Sequence, residues 1–274
     1  MDKISKKNQI MQNKIKALIK KFNEYNIDGY IVPKNDEFFS EYTNKDRLNF
    51  ISGFNGSAGL AIITLKKNYL FVDGRYTLQA KQQSGKKFKI IEIHKYLPKN
   101  IIKNLRLGFD PHLFTKRNLN SLFGNLIKLT SIEKNLVDKI YKKKLPEQKQ
   151  FFSLGKKSVG ESHNSKIKRV SNILNVKKVD YLFISSPENV AWLMNIRGYD
   201  SPTSPLPNCR LIIDKNKKIF LFANKKTVQK IIKEKKLKFN QIINPKNFEN
   251  FIKKLVGNKF AIDPLTCSIF NENI

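Results

Sequence analysis

Between Asn49 and Ala80 the chain reads NFISGFNGSAGLAIITLKKNYLFVDGRYTLQA, and this passage carries its clearest structural pattern. Two apolar runs, Leu60–Leu65 and Tyr69–Val72, are separated by the polar residues 66–68. Short apolar runs rich in Ile, Val, Phe and Tyr with a polar turn between them are typical of a buried β-hairpin. The glycines within Gly53–Gly59 predict a loop whose backbone adopts positive φ or passes close to another group. The passage therefore predicts a helix end, a glycine loop and a hairpin, in that order.

Arg75 is the residue in this passage that most needs an explanation. It follows Asp73, whose carboxylate is placed to cap a helix over 76–80 by accepting bonds from free backbone N–H groups. A cation in the first turn of a helix is disfavoured by up to about 1 kcal/mol, because that end carries positive dipole charge. Two interpretations are open: Arg75 pairs with Asp73 or another nearby acid, or it reaches out to an oxygen of a ligand. Spacing alone favours the ion pair.

Length and composition indicate a globular protein of two domains. The chain has 274 residues, 40% of them hydrophobic and 20 of them Phe, which suffices for two separate cores. The sequence contains no uninterrupted apolar run of about 18 residues, so it predicts no transmembrane helix. The lysine-rich N-terminus lacks the apolar region of a secretory signal. Cys209 and Cys267 are the only cysteines, so the sequence predicts a cytoplasmic location without a disulfide framework.

The formal net charge of +31, from 53 Lys and Arg against 22 Asp and Glu, raises the question of a nucleic-acid partner. Base readout and bidentate phosphate contacts favour arginine. Only seven of these cations are arginines, and the lysines are scattered over the whole length. The sequence therefore argues against specific nucleic-acid binding and predicts only weak, salt-sensitive association with polyanions.

Helix and strand patterns alternate along the chain, which is the signature of a layered α/β fold. After a frayed lead-in over residues 1–9, the periodicity predicts helices at 10–25, 76–80, 95–104, 115–127, 164–175 and 187–194. It predicts strands at 30–32, 60–65, 69–72, 88–93, 106–109, 126–132, 180–184, 209–213, 218–222 and 259–262.

An internal repeat is the most informative feature of the sequence. Asp28-Gly29-Tyr30-Ile31 matches Asp180-Tyr181-Leu182-Phe183 at an offset of 152, and Gly108-Phe109-Asp110-Pro111 matches Ala261-Ile262-Asp263-Pro264 at 153. Helix, glycine loop, hairpin, helix and strand follow in the same order between these matches. The sequence thus predicts two tandem copies of one α/β domain, each a mixed sheet of mostly six strands flanked by helices.

The pattern of the repeat sets the predicted domain limits. We place domain I at residues 1–135, a linker containing Lys, Gly and Ser at 136–162, and domain II at 163–274. The second copy stops about ten residues after Asp263-Pro264, whereas the first continues through a further helix. On this comparison domain II is shortened at its C-terminus, and we expect the chain to be a piece of a longer protein.

Nothing in the sequence assembles a catalytic or metal centre. His94, His112 and His163 stand far apart, without His-x-x-x-His or Cys-x-x-Cys spacing. The carboxylates within Asp36–Glu41 have no neighbouring histidine, so a solvated segment with its charges outward is the favoured interpretation. The residues alone predict no catalytic residue and no metal ligand, and they leave Arg75 as the candidate binding residue.

Several separate motifs, in the right order, resemble those of the Xaa-Pro aminopeptidase (aminopeptidase P) family. The two longest are Phe50–Gly59, FISGFNGSAG, and Val72–Ala80, VDGRYTLQA. The shorter ones are Glu41-Tyr42, Arg47-Leu48, Asn135-Leu136-Val137-Asp138, Gly160-Glu161-Ser162, and Asn195-Ile196-Arg197-Gly198 followed by Asp200. The resemblance covers residues 10–274.

This resemblance implies two creatinase-type N-terminal domains, as in the long, three-domain members of the family, without their C-terminal metallopeptidase domain. Members remove an N-terminal residue that precedes proline, using two divalent metal ions, commonly manganese. All ligands of those metals belong to the C-terminal domain, so the resemblance implies no catalytic residue, metal ligand or cofactor within this chain. The family's substrate-contacting arginine falls on Arg75, which reverses the preference for an ion pair. The implied partners are peptides with proline at the second position and a second copy in a homodimer.

Three functions compete on this evidence. The first is the N-terminal part of a Xaa-Pro aminopeptidase, inactive alone, that supplies substrate access and dimerisation. The second is a stand-alone, non-catalytic peptide-binding or interaction module. The third is a polyanion binder that relies on diffuse charge.

Overall fold

The computed structural model describes residues 3–125, 127–143 and 146–274. Contacts divide the chain into two units: unit 1 is Met1–Leu145 with Ser268–Phe270, and unit 2 is Pro146–Cys267 with Asn271–Ile274. Within these described ranges no helix has the length and apolar character needed to cross a bilayer.

Helices and strands alternate through both units. The helices are α1 (Lys3–Ile19), α2 (Arg47–Ser52), α3 (Thr77–Ser84), α4 (Pro98–Ile101), α5 (Lys116–Phe123), α6 (Lys156–Val159), α7 (His163–Val176), α8 (Pro187–Met194), α9 (Gln229–Lys233), α10 (Phe248–Lys253) and α11 (Ile269–Glu272). The strands are β1 (Gly29–Pro33), β2 (Gly59–Thr64), β3 (Tyr69–Val72), β4 (Lys89–Glu92), β5 (Arg106–Phe109), β6 (Lys128–Ser131), β7 (Phe152–Ser153), β8 (Tyr181–Ile184), β9 (Ile196–Arg197), β10 (Arg210–Asp214), β11 (Ile219–Phe222), β12 (Ile242–Ile243) and β13 (Phe260–Ile262).

Unit 1 is built on a mixed six-stranded sheet in the order β4-β3-β2-β1-β5-β6. The predicted hairpin is present, because β2 and β3 pair antiparallel. The central strand β1 is antiparallel to β2 and parallel to β5. Successive side chains face opposite sides of the sheet, so Tyr30 and Ile63 pack in one core while Ile31 and Ile62 pack in the other. The sheet is therefore buried on both faces.

Unit 2 repeats this topology with five strands in the order β12-β11-β10-β8-β13, beside a separate two-stranded sheet of β7 and β9. Tyr30 lies opposite Gly108 in unit 1, and Leu182 lies opposite Ala261 in unit 2, at the offsets found in the sequence. The prediction of two tandem homologous α/β domains is therefore confirmed. The prediction of six strands is wrong for unit 2, because no strand among its described residues pairs with the outer edge of β13.

Several predicted helix limits are wrong at the N-terminal end of the chain. Residues 3–9 of the predicted lead-in are helical, because α1 begins at Lys3. The same helix ends at Ile19 rather than at residue 25, and a short 3-10 turn leads to Asn26, which has a left-handed φ of 50°.

Two later elements of unit 1 are also shorter than predicted. The helix predicted at 95–104 shrinks to α4, which begins at Pro98 and ends before the extended Ile102. Helix α5 ends at Phe123 because Gly124 takes a φ of 58°. The strand predicted at 126–132 is β6, and Leu126 lies outside the described residues.

Packed side chains extend into the region predicted as a linker, residues 136–162. Leu136 and Val137 are buried in the core of unit 1, and Phe151 is buried in the core of unit 2. The division between the units falls between positions 145 and 146. The domain limits of 1–135 and 163–274 stay a prediction.

Candidate functional site

The glycine loop and helix α3 are joined by side chains from both long motifs. Asn55 Oδ1 accepts hydrogen bonds from Gln79 Nε2 (2.6 Å) and Gln83 Nε2 (2.9 Å). The Asn55 backbone N–H donates to Gln83 Oε1 at 3.1 Å. Ser57 Oγ lies 2.9 Å from the hydroxyl oxygen of Tyr76. The two motifs thus hold each other in position. The sequence spacing between them does not predict these contacts.

Two glycines of the loop are required by geometry. Gly53 ends α2 in the left-handed region with a φ of 75°, and its N–H donates to the carbonyl of Asn49. A Cβ at Gly56 would lie 2.2 Å from Cζ of the buried Phe54 ring. The loop therefore combines a positive φ with a close approach, the two roles predicted for its glycines.

Asp73 organises the start of α3 and the two basic side chains beside it. Its Oδ1 accepts hydrogen bonds from the backbone N–H (3.0 Å) and from Nε (2.9 Å) of Arg75, and its Oδ2 lies 3.2 Å from His94 Nε2. These hydrogen bonds, with the one from the Arg75 side chain first, hold the pKa of Asp73 well below its usual range. The predicted cap is present, in a single 3-10 turn at Gly74–Tyr76 that leads into α3.

Arg75 combines features of both interpretations that the sequence left open. Its Nε pairs with Asp73, and this hydrogen bond raises the pKa of the guanidinium. The side chain is nevertheless 75% exposed. Within the described part of the chain its hydrogen bonds use only the backbone N–H and Nε. Its guanidinium carbon lies 5.6 Å from the centroid of the Tyr76 ring. The two terminal guanidinium nitrogens have no hydrogen-bond partner among the described residues and can donate to a ligand.

A groove of about 290 Å³ opens beside Asp73 and His94. Strands β1 and β3 are both antiparallel to β2, so their carboxyl ends lie at the same edge of the sheet, and the groove lies there. Leu60, Phe71 and Phe114 are among the apolar side chains that line it. An apolar surface with a few convergent polar groups suits the binding of a peptide or other small ligand.

A second polar cluster in unit 1 was missed by sequence reasoning. The Arg47 side chain is 3% exposed and donates from Nε (2.8 Å) and Nη2 (2.9 Å) to the Asp138 carboxylate. Its Nη2 also donates to Glu37 at 2.5 Å. Asn135 Nδ2 donates to Asp110 Oδ2 at 2.8 Å. Burial raises the pKa of Asp110 to about 6, against the lowering effect of its hydrogen bonds.

This cluster fastens residues 135–138 to α2 and to the end of β5. The motifs Arg47-Leu48 and Asn135–Asp138 are therefore structural, and only their resemblance to a family could have marked them, because the paired residues are 91 positions apart. The solvated interpretation of Asp36–Glu41 is wrong for Asp36. Its carboxylate is buried and accepts the N–H groups of Phe38 and Ser40 within the loop.

The motif of unit 2 is also structural. Asn195 ends α8 with a left-handed φ of 53°, and its Oδ1 accepts a hydrogen bond from the buried Lys166 Nζ at 2.7 Å. Its Nδ2 donates to the carbonyl of Glu161 at 2.9 Å. A Cβ at Gly198 would lie 2.7 Å from Cα of Pro207. These residues shape the loop that follows α8.

The donor set of the described residues does not fit the two-metal centre that the resemblance implies for the whole enzyme. Across residues 3–125, 127–143 and 146–274, no three His, Cys, Asp or Glu side chains are grouped so as to hold a metal ion. His94 faces Asp73, His112 stacks on the Phe270 ring with centroids 4.0 Å apart, and His163 begins α7.

Known proteins match both units. Two sequence profiles, each described as the creatinase/prolidase N-terminal domain, match residues 14–140 and 142–273. A protein named "Probable Xaa-Pro aminopeptidase P" from Laccaria bicolor is 36% identical over 209 residues, covering 70% of this chain and 32% of its own length. "Xaa-Pro aminopeptidase 1" from Dictyostelium discoideum is 30% identical over 237 residues, covering 78% of this chain and 38% of its own length. The chain thus spans about a third of the length of these curated relatives.

A solved structure supports the same fold. The X-prolyl aminopeptidase of Caenorhabditis elegans, described as a cytosolic enzyme with a di-nuclear active site, superposes with a TM-score of 0.77 at 24% identity. The superposition covers 90% of this chain and 44% of that enzyme. Two matched profiles, the repeated sheet topology and these relatives agree. The chain belongs to the creatinase/prolidase N-terminal domain family and contains two domains of that family in tandem.

Proposed function

We propose that these two domains are the N-terminal part of a metal-dependent Xaa-Pro aminopeptidase, in which they guide the peptide and support dimerisation. The substrates are peptides with proline at the second position. Two divalent metal ions, commonly manganese, would be held outside this chain, and the protein would act in the cytoplasm. The names of the curated relatives and the description of the C. elegans enzyme support the proposal.

The observation that carries the proposed role of the chain is the exposed guanidinium of Arg75. Asp73, which lines the groove, accepts the Nε–H of Arg75, and the Arg75 side chain stays 75% exposed with two terminal nitrogens that can donate. A guanidinium held in this way donates two parallel hydrogen bonds to a peptide carboxylate or to a pair of carbonyls. Lysine cannot reproduce that geometry. Arg75 is thus a substrate-positioning residue rather than a catalytic one.

The test uses the full-length protein that carries this chain. Arg75→Lys and Arg75→Ala should each lower kcat/KM on an X-Pro peptide by more than tenfold, equivalent to about 1.4 kcal/mol or more. The melting temperature should barely change, because an exposed ion pair contributes little to stability. Lys81→Ala, an exposed change on the same helix, is the control and should leave kcat/KM unaltered. A collapsed melting temperature with normal kcat/KM would instead make Arg75 a structural partner of Asp73.

A stand-alone peptide-binding module is the second candidate, and the groove beside Asp73 favours it. Its test is a nuclear magnetic resonance titration of this chain with an X-Pro peptide in the presence of a chelator. Saturable shifts confined to residues around Asp73 and His94 would support peptide binding without metal. Uniform, unsaturable shifts would leave only the role within a longer enzyme.

A further inference from the structure

Individual side-chain contacts recur in the two units, beyond what the sequence repeat shows. Lys14 on α1 donates to the carbonyl of Phe50 (3.0 Å) and lies 4.2 Å from its ring centroid. Lys166 on α7 donates to the carbonyl of Trp192 (2.8 Å) and lies 4.4 Å from its ring centroid. These lysines are related by the same offset of 152 as Tyr30 and Leu182 in the strands.

The helices that carry the aromatic residues also correspond. α2 ends at Gly53 with φ 75°, and α8 ends at Asn195 with φ 53°, each three residues after its aromatic ring. At the end of the last matched strand, Asp110 Oδ1 accepts the N–H of His112, and Asp263 Oδ1 accepts the N–H of Leu265, both at 2.9 Å. Both units therefore share the lysine-bearing helix, the helix end and the aspartate that surround one site, which we call the seat.

In unit 1 this seat is filled by the unit's own segment, residues 135–141. Asn135 donates to Asp110, the Leu136 N–H donates to the hydroxyl of Tyr30 at 3.3 Å, and Asp138 pairs with Arg47. Leu136 and Val137 are buried in the same core cluster as Leu18 of α1. The Tyr141 ring stacks on Phe50 with centroids 4.1 Å apart and an interplanar angle of 13°. The residues that receive the segment are Leu18, Tyr30, Arg47, Phe50 and Asp110.

In unit 2 the five corresponding positions line an open pocket of about 200 Å³. In the order given for unit 1, they are Val170, Leu182, Asn189, Trp192 and Asp263. The offset is 152 for the first two, 142 for the two on α8 and 153 for Asp263. Trp192, the counterpart of the covered Phe50, is 51% exposed. Exposed apolar pockets with a tryptophan at the edge are characteristic of surfaces that recognise proteins.

We propose that this pocket of unit 2 binds a polypeptide segment with the chemistry of residues 135–141. The segment would present an amide donor to the Asp263 carboxylate, whose Oδ2 also accepts the Thr266 hydroxyl at 3.0 Å. It would present two adjacent aliphatic side chains to Val170 and Leu182, and an aromatic ring to Trp192. Because neutral Asn189 stands where Arg47 stands in unit 1, the fourth residue of the segment need not be acidic. The inference rests on the internal repeat and does not depend on the proposed aminopeptidase function.

The single tryptophan of the chain is Trp192, so its fluorescence reports on the pocket directly. The probe is a synthetic peptide with the sequence of residues 134–142, KNLVDKIYK. Binding should shift the Trp192 emission to shorter wavelength in a saturable manner, because the ring leaves water. A peptide with serine in place of Leu136 and Val137 should bind at least tenfold more weakly.

A tethered form keeps the test decisive if the free peptide binds weakly. The same nine residues, joined after Ile274 by a flexible Gly-Ser linker, reach an effective concentration in the range of about 1 mM. The emission should be blue-shifted relative to a chain that carries a scrambled sequence on the same linker. Equal spectra for the two tethered chains would overturn the proposal.

Two matched variants locate the effect. Val170→Glu places a charge inside the pocket and should abolish the shift, whereas Val176→Glu, on the same helix at 84% exposure and outside the pocket, should preserve it. Circular dichroism checks that both variants are folded. An unchanged response in Val170→Glu would place the peptide elsewhere and refute the proposal. Sedimentation that shows a dimer of the unmodified chain with Trp192 shielded would also refute it, because the occupant would then be a second copy.

Discussion

Asp110 lies at the end of β5, buried to 3% exposure, and accepts hydrogen bonds from Asn135 and from the N–H of His112. Its pKa of about 6 lies above the ordinary value of 3.8. A carboxylate with a raised folded-state pKa contributes stability that is present below about pH 4 and lost as pH rises through about 6. The loss is on the order of 3 kcal/mol, the free energy of about two pKa units.

We expect the side-chain carboxyl carbon of Asp110 to titrate with a midpoint near pH 6 in a nuclear magnetic resonance experiment. Asp28 is the control, because hydrogen bonds from Arg106 lower its pKa, so it should titrate below the ordinary value for a carboxyl group. A midpoint for Asp110 at or below 4 would show that its hydrogen bonds outweigh its burial.

The buried Arg47 side chain also contributes to the stability of unit 1. Its guanidinium is buried and paired with two carboxylates, yet Nη1 has no hydrogen-bond partner among the described residues. Both carboxylates are partly exposed, and Asp138 also pairs with Lys45 at 2.8 Å, so neither would be left as an isolated buried charge. Arg47→Met should therefore lower the free energy of unfolding by about 1–3 kcal/mol, the contribution of its hydrogen bonds to charged groups, measured by urea denaturation. Arg117→Met, at an exposed position of α5, should change it by less than about 0.5 kcal/mol. Equal effects of the two substitutions would contradict a structural role for the Arg47 cluster.

At the scale of single elements, the ends of α2 and α8 show how two residue types meet one requirement. Gly53 and Asn195 both adopt positive φ at corresponding positions. Glycine and asparagine enter the left-handed region more readily than alanine does. Gly53→Ala should cost about 1–2 kcal/mol of unfolding free energy, and Gly53→Asn should cost clearly less. If asparagine is no better tolerated than alanine, backbone strain is not what selects the residue at the end of α2.

Two lysines join neighbouring helices, Lys14 between α1 and α2 and Lys166 between α7 and α8. Lys166 Nζ donates to the carbonyl of Trp192 and to Asn195 Oδ1, and burial lowers its pKa. Lys166→Met should lower the unfolding free energy by about 1.5–3 kcal/mol, the usual contribution of a hydrogen bond from a charged group. Lys168→Met, exposed on the same helix, is the matched control. A small effect of both would show that the ammonium contributes little beyond its packing.

For the whole molecule, we expect the chain by itself to have no peptidase activity. No group of metal ligands is assembled among the described residues, and the profiles matched are those of N-terminal domains only. The measurement is turnover of an X-Pro-Y peptide by the purified chain with added manganese. Activity that a chelator abolishes, in a preparation free of host peptidase, would contradict this expectation.

The charge of +31 makes a separate prediction for the whole molecule. Diffuse lysine charge should bind heparin weakly and elute below about 0.5 M salt, because surface charges are screened at that ionic strength. Retention above that concentration would favour the polyanion-binding function.

The sequence alone determined the two-domain α/β fold, because each element is specified by local signals. The hairpin in Leu60–Val72 follows from two apolar runs and a polar turn, and α8 begins and ends where Pro187 and Asn195 predict. The repeat follows from two pairs of matching motifs at offsets of 152 and 153, which are visible in the sequence without any knowledge of the strand pairing. Arg75 could be singled out for the same reason, since its conflict with the helix dipole is a local one.

Only the tertiary structure decided which distant residues meet. The pairs Arg47–Asp138 and Asp110–Asn135 join positions far apart in sequence, and no local pattern encodes such a pairing. Burial by residues from distant parts of the chain raises the pKa of Asp110. Packing also distinguishes Phe50, which is covered by the Tyr141 ring, from Trp192, which is exposed. The difference between the filled seat of unit 1 and the open seat of unit 2 depends on what packs against each helix. It is therefore visible only in the folded structure.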